Sequence, residues 1–181
     1  MILPIKKYGN SVLRKKSTNI SKDYPKLEEL IDNMFDTLEN SKGIGLSAHQ
    51  VGLNLNLFIV DTTFLDIDEK FKKVFINSKI TDETGEEVLI EEGCLSFPDI
   101  FESVYRKPNI KINYYDEDFN SHDEDFDGII ARIIQHEYDH VNGILLIDRI
   151  SPIKKHILRK KLKKKYKNII KLNKTCVYKN K

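Results

Sequence analysis

The sequence predicts an α+β fold, and three observations lead there. An amphipathic helix pattern occupies about residues 24–40. A succession of short strand-like runs lies between residues 57 and 115. A second apolar pattern of helical period follows at 128–141. Strands first and a buried helix afterwards are the signature of segregated helix and sheet. At 181 residues and 40% apolar content the chain is long enough to bury one core.

In the first helix Leu27, Leu30, Ile31, Met34, Phe35 and Leu38 recur at three- and four-residue steps, which places them on one face. Asp23 is the expected cap, Pro25 the expected first-turn residue, and Asn40 to Gly43 the stop. Gly43-Ile-Gly-Leu-Ser-Ala-His-Gln-Val-Gly52 reads as a loop by its glycines. Residues 57–60, 74–77 and 87–91 read as strands. Ile110, Ile112 and Tyr114 alternate with polar partners, so 109–115 is a half-buried strand. The acidic stretch 116–127 lacks the glycine and terminal glutamate of a calcium loop and reads as a solvated connection. From Gly128 to Val141 the isoleucines 129, 130, 133 and 134 keep helical spacing, and Asn142-Gly143 is a helix stop. Ser151-Pro152 starts a last helix, with Leu158, Leu162, Tyr166 and Ile170 stepping by four.

Charge divides the chain. Residues 1–150 hold all 28 acids against 17 Lys and Arg, a formal −11, whereas 151–181 hold 13 Lys and Arg and no acid, a formal +13. The reading is therefore an acidic body over 1–150 and a basic helical extension over 151–181. With 8 Gly and 5 Pro, collagen-like and low-complexity classes are excluded. No apolar run reaches membrane-spanning length. The start, Met1 to Tyr8, lacks a secretory apolar stretch and is not an Arg- and Ser-rich transit peptide. Two cysteines, Cys94 and Cys176, make no disulfide framework, so a reducing cytoplasm is the expected compartment.

The sharpest chemical signal is His136-Glu137-Tyr138-Asp139-His140. One helical turn apart, His136 and His140 can bring two imidazole nitrogens to one metal ion, and Glu137 can reach a water on that ion. The bland reading is two surface histidines on a helix. A catalytic site needs a third ligand. The extended protease motif would put a histidine at position 146, but Leu146 stands there. His122 in the acidic stretch and His156 in the basic helix read as solvated. Cys94, in Glu92-Gly93-Cys94-Leu95-Ser96 after a strand, is the better candidate, since a thiolate ligates zinc or ferrous iron well; otherwise it is a small buried apolar residue. Gly43-Ile-Gly-Leu-Ser-Ala48 formally matches a dinucleotide fingerprint, yet it follows a helix where that fingerprint needs a strand. It reads instead as backbone lying close to an extended substrate. Gln50 offers an amide donor suited to an oxyanion, or else a side chain that steadies the loop.

Three motifs in order, Gly43-Ile-Gly-Leu-Ser-Ala-His-Gln50, Glu92-Gly-Cys-Leu-Ser96 and Gln135-His-Glu-Tyr-Asp-His140, resemble those of the peptide deformylases. These are metal hydrolases that remove the N-formyl group from new bacterial proteins. Tyr8 to Arg14, Arg106, Ala131-Arg132 and Asp148-Arg149 extend the resemblance over nearly all of 1–150. It implies antiparallel strands packed around a central metal-binding helix. It implies Cys94, His136 and His140 as metal ligands, and Glu137 as general acid/base. Gln50 and the Leu95 N–H would be oxyanion donors, Gly45 would lie along the bound peptide, and Ile44, Ile129 and Ile133 would surround the methionine side chain. The implied ion is Fe2+, with Zn2+, Ni2+ or Co2+ as alternatives. The implied partners are formylmethionyl nascent peptides and, through the C-terminal helix, the ribosome or its RNA. A monomer and no membrane association are expected.

Two departures stand out. Ser47-Ala48-His49 replaces the usual Ala-Ala-Pro before the glutamine, with His49 expected at the surface. Residues 97–101, Phe-Pro-Asp-Ile-Phe, lack an arginine that many members carry there. A protease cutting internal bonds and an RNA-binding protein with a decayed metal site are the competing readings. The complete set of Gln50, Cys94, His136, Glu137 and His140 speaks against decay.

Overall fold

The computed structural model describes residues 1–64 and 70–166. Over these residues it is an α+β fold of two antiparallel sheets and three α-helices, the middle helix being buried against the larger sheet. Seven strands form in chain order: β1 Gly45–Ser47, β2 Leu57–Asp61, β3 Lys72–Thr84, β4 Val88–Gly93, β5 Phe101–Arg106, β6 Asn109–Tyr115 and β7 Ser121–Phe126. The helices are α1 Leu27–Asn40, α2 Gly128–Val141 and α3 Pro152–Lys165. Strands β1-β2-β3-β6-β7 make one five-stranded sheet, and β4-β5 make a separate pair.

Helix α2 lies across β1, β2 and β6. Its Ile130, Ala131, Ile133 and Ile134 are buried against Phe58, Phe75 and Ile112 of the sheet. Phe58 and Phe75 stack with ring centroids 4.7 Å apart. Asp127 gives no side-chain cap, so burial rather than capping holds the start of α2. The end is sharper. Gly143 takes φ +72, and a Cβ there would stand 2.8 Å from the Arg14 carbonyl oxygen, so close backbone approach excludes other residues. Helix α1 closes the opposite core with Ile31, Met34 and Leu38 against Leu57 and Ile59.

Helix α3 is not free of the body. Ser151 caps it and Pro152 occupies the first turn, as expected. Leu158, Leu162 and Tyr166 are buried with Leu13, Phe97, Val104 and Leu146. Ile170, Lys167 and Cys176 lie outside the described residues.

Several expectations are corrected. The acidic stretch contains β7, whose residues alternate between exposed and half-buried. Its inward positions are His122, Glu124 and Phe126, too polar to give a strand pattern. His122 is half-buried rather than freely solvated: its ring stacks on Tyr114 at 5.0 Å and Nε2 lies 2.8 Å from Asp116 Oδ2. His156 is exposed. The first helix begins at Leu27 without a side-chain cap, so Asp23 and Pro25 play no part in starting it. The glycine-rich segment is the edge strand β1 followed by a 3-10 turn, Ala48–Val51, and is not a loop. His49 is fully buried, with Nε2 3.1 Å from Asn54 Oδ1, so the surface role expected for it is wrong.

Candidate metal centre

Two pieces of local structure deliver the candidate ligands. On α2, His136 and His140 stand one turn apart with ring centroids 5.2 Å from each other. Cys94 follows β4 directly, in a tight turn closed by the Phe97 N–H donating to the Cys94 carbonyl at 2.8 Å. The ligand atoms of Cys94, His136 and His140 all lie within 4.8 Å of one another, so the three could hold a metal ion. Cys94 Sγ is 3.3 Å from His140 Nε2.

The donor set fits a divalent transition metal, with one thiol and two imidazoles in a largely buried pocket. His136 is oriented for it. Its Nδ1 lies 3.0 Å from Glu92 Oε2, which leaves Nε2 to face the cluster. Burial opposes the His136 imidazolium, but hydrogen bonds to Cys94 and Glu92 outweigh it and raise its pKa well above the ordinary value. Burial, then the neighbouring His136 charge, pushes His140 well below.

Glu92 is the hub of a buried ion network. It accepts from Arg106 Nε at 2.7 Å, Arg106 Nη2 at 3.0 Å and Arg132 Nη1 at 2.8 Å. Asp139 on α2 accepts from Arg106 Nη1 at 2.8 Å and Arg149 Nε at 2.9 Å. Burial would raise the Glu92 pKa, but the hydrogen bonds from His136 and Arg106 hold its carboxyl far below the usual carboxylate range. Sequence reasoning assigned no role to Glu92, although it lies inside one of the three motifs, two residues before Cys94. Its adjacency to the cysteine was the only available signal.

Glu137 is 3% exposed, and its Oε2 has no hydrogen-bond partner among the described residues. Burial pushes its pKa up to about 7, with the opposing pull of His136 and Arg106 too weak to prevent it. A carboxyl poised there can both take and give a proton at neutral pH. Gly45 makes room for it: a Cβ at that position would stand 2.6 Å from Glu137 Oε1.

Gln50 is 1% exposed. Its Oε1 accepts from the Ser47 N–H at 2.9 Å, which turns Nε2 toward Cys94 Sγ, 3.7 Å away. The amide thus steadies the turn through its oxygen and leaves its nitrogen directed at Cys94. A cleft of about 450 Å³ opens over these groups. Gln50, Cys94, Leu95, His136 and Glu137 line it, and so do Ile44, Gly45, Ile129 and Ile133. His140 lies behind the wall, 1% exposed. Phe101, 63% exposed, stands at the cleft mouth.

A buried carboxyl beside two helix-borne imidazoles and a thiol, under a largely apolar cleft, is the layout of a mononuclear metal hydrolase on an α+β scaffold. The chain belongs to the polypeptide deformylase family, whose model matches residues 2–156. It is 52% identical over 174 residues to the peptide deformylase of Flavobacterium johnsoniae, covering 90% of this chain and 89% of that one. It is similar to the crystal structure of a peptide deformylase from Legionella pneumophila, with TM-score 0.82, 34% identity and coverage of 92% and 96% of the two chains. It is also similar to a peptide deformylase from Synechococcus elongatus in complex with actinonin, with TM-score 0.79, 35% identity and coverage of 90% and 85%.

Proposed function

We propose that this protein hydrolyses the N-formyl group from the formylmethionine that begins newly synthesised proteins, releasing formate. The observation that carries this reading is the convergence of Cys94, His136 and His140 with Glu137 and Gln50 on one cleft. Cys94, His136 and His140 are the metal ligands, and Fe2+ is the proposed native ion, with Zn2+, Ni2+ or Co2+ as substitutes. A divalent ion held there would supply a Lewis acid for the formyl oxygen and for a water molecule.

The chain's own groups do the rest. Ile44, Ile129 and Ile133 receive the methionine side chain, and Gly45 lets the peptide backbone lie close. Glu137 accepts the proton of the water that adds to the formyl carbon. Gln50 Nε2 and the Leu95 N–H donate to the oxygen as it gains negative charge, each such donor contributing about 2.7–4 kcal/mol. Glu137 then gives the proton to the departing amine nitrogen, the C–N bond breaks, and formate leaves. Glu137→Ala should lower formate release from a formyl-Met peptide at least about a hundredfold with metal still bound; near-normal turnover would refute its role.

The functional division is a catalytic body over 1–150 and a basic extension over 151–181 that contacts ribosomal RNA, in a cytoplasmic monomer. No helix among the described residues is long and apolar enough to cross a membrane. Cutting the extension off at Ile153 would remove the buried Leu158, Leu162 and Tyr166 and open the core. Replacing the exposed Lys160, Lys161, Lys163 and Lys164 by glutamine tests the contact without that damage. Salt-sensitive co-sedimentation with ribosomes should fall while peptide activity stays; undiminished co-sedimentation would exclude the helix as the contact.

A further inference from the structure

The two proposed oxyanion donors come from distant parts of the chain, yet three consecutive residues near the N-terminus bind both. The Lys6 N–H donates to the Gln50 carbonyl at 2.7 Å, and the Tyr8 N–H donates to the Ser96 carbonyl at 3.0 Å. Between them, Lys7 Nζ donates to the Leu95 carbonyl at 2.9 Å. We propose that residues 6–8 are a strap that sets the spacing of Gln50 and Leu95, with Lys7 as its positioning residue. The inference rests on the deformylation reading for its kinetic consequence.

The Leu95–Ser96 peptide is the central peptide of the turn closed between Cys94 and Phe97. That peptide is the one that rotates when a turn changes type, reversing its carbonyl. An ammonium on the Leu95 oxygen fixes that rotation and anchors Leu95 itself, whose N–H, part of the preceding Cys94–Leu95 peptide, is thereby held at the cleft. A charge-assisted bond is about twice as strong as a neutral one. Lys7 is half-buried, and burial pushes its pKa down, with Cys94 opposing. A neutral side chain would avoid that desolvation but would hold the carbonyl less firmly. The strap has other anchors. The Tyr8 ring lies 5.3 Å from the Phe97 ring, and the Lys6 stem covers Gly52. Removing the Lys7 ammonium alone therefore leaves the strap seated.

Lys7→Met keeps the unbranched stem and removes the donor, and Lys7→Arg restores a cationic donor. Lys7→Met should lower kcat about tenfold, because a small misplacement of a donor weakens oxyanion binding, with KM within about twofold. Lys7→Arg should recover most of the loss. In metal-free protein, the Phe97 amide of Lys7→Met should exchange hydrogen faster while the amides of α2 stay as protected as in the wild type. Unchanged kcat and unchanged Phe97 exchange would overturn the proposal. A loss shared equally by both variants, with α2 also exchanging faster, would overturn it in favour of general loosening. A wild-type protein that releases no formate would defeat the deformylation reading instead, and the exchange measurement would still test the strap.

Discussion

Glu92→Gln tests whether the buried ion network holds the metal centre together. Arg106, Arg132 and Arg149 converge on Glu92 and Asp139, and Arg106 is 4% and Arg132 5% exposed. The carboxamide is neutral, keeps one acceptor oxygen, and turns an NH2 toward guanidinium groups. Removing one partner of a buried charge pair typically costs about 3–5 kcal/mol, because the other charge stays buried and under-compensated. For a chain of this size that corresponds to an unfolding midpoint lower by roughly 6–20 °C. The assay is thermal unfolding of the metal-free protein across pH. Glu92 has a folded pKa far below its ordinary 4.5, so its stabilisation is complete above that range and is lost as pH falls through the folded value. The deficit of Glu92→Gln is therefore full at pH 7 and narrows in acid, below about pH 4.5. Zinc titration supplies a second measure: His136 loses the carboxylate that orients Nδ1, and affinity should fall about 10- to 100-fold. A stability within about 1 kcal/mol of wild type at pH 7, with zinc affinity unchanged, would refute the network's role.

Two further outcomes follow from the site. Gly45→Ala places a methyl 2.6 Å from Glu137 Oε1, so either β1 or the carboxylate must shift; kcat should fall at least about tenfold with zinc binding retained, and normal kcat would show that the contact relaxes freely. Cys94→Ser replaces a soft thiolate by a hydroxyl and should lower metal occupancy after gel filtration, as read by elemental analysis; full occupancy would remove Cys94 from the ligand set.

Much of this molecule was legible in one dimension. Helix α2 matches its expected bounds, because a run of isoleucines at helical period ends in Asn142-Gly143 and nothing local competes with it. Strand β6 matches for the same reason at period two. The candidate ligands on α2 were legible because helix geometry alone brings residues four apart together. Strands β5 and β7 were not. Their inward positions include Arg106, His122 and Glu124, whose burial makes sense only beside Glu92, Asp116, Tyr114 and Lys73. Polar residues that satisfy one another across elements leave no periodic apolar trace.

The sequence by itself determined the α+β class, the helix that carries His136, Glu137 and His140, and the charge split between body and extension. These follow from short-range spacing and from composition, which need no tertiary partner. Only the tertiary structure decided that Cys94 meets those histidines, that burial raises Glu137 to about 7, and that His49 is interior. It alone also decided that the basic helix is seated in the core through Leu158 and Leu162. Each of these depends on what distant segments bring to within a few ångströms, since desolvation and pairing are properties of a surrounding and not of a residue type.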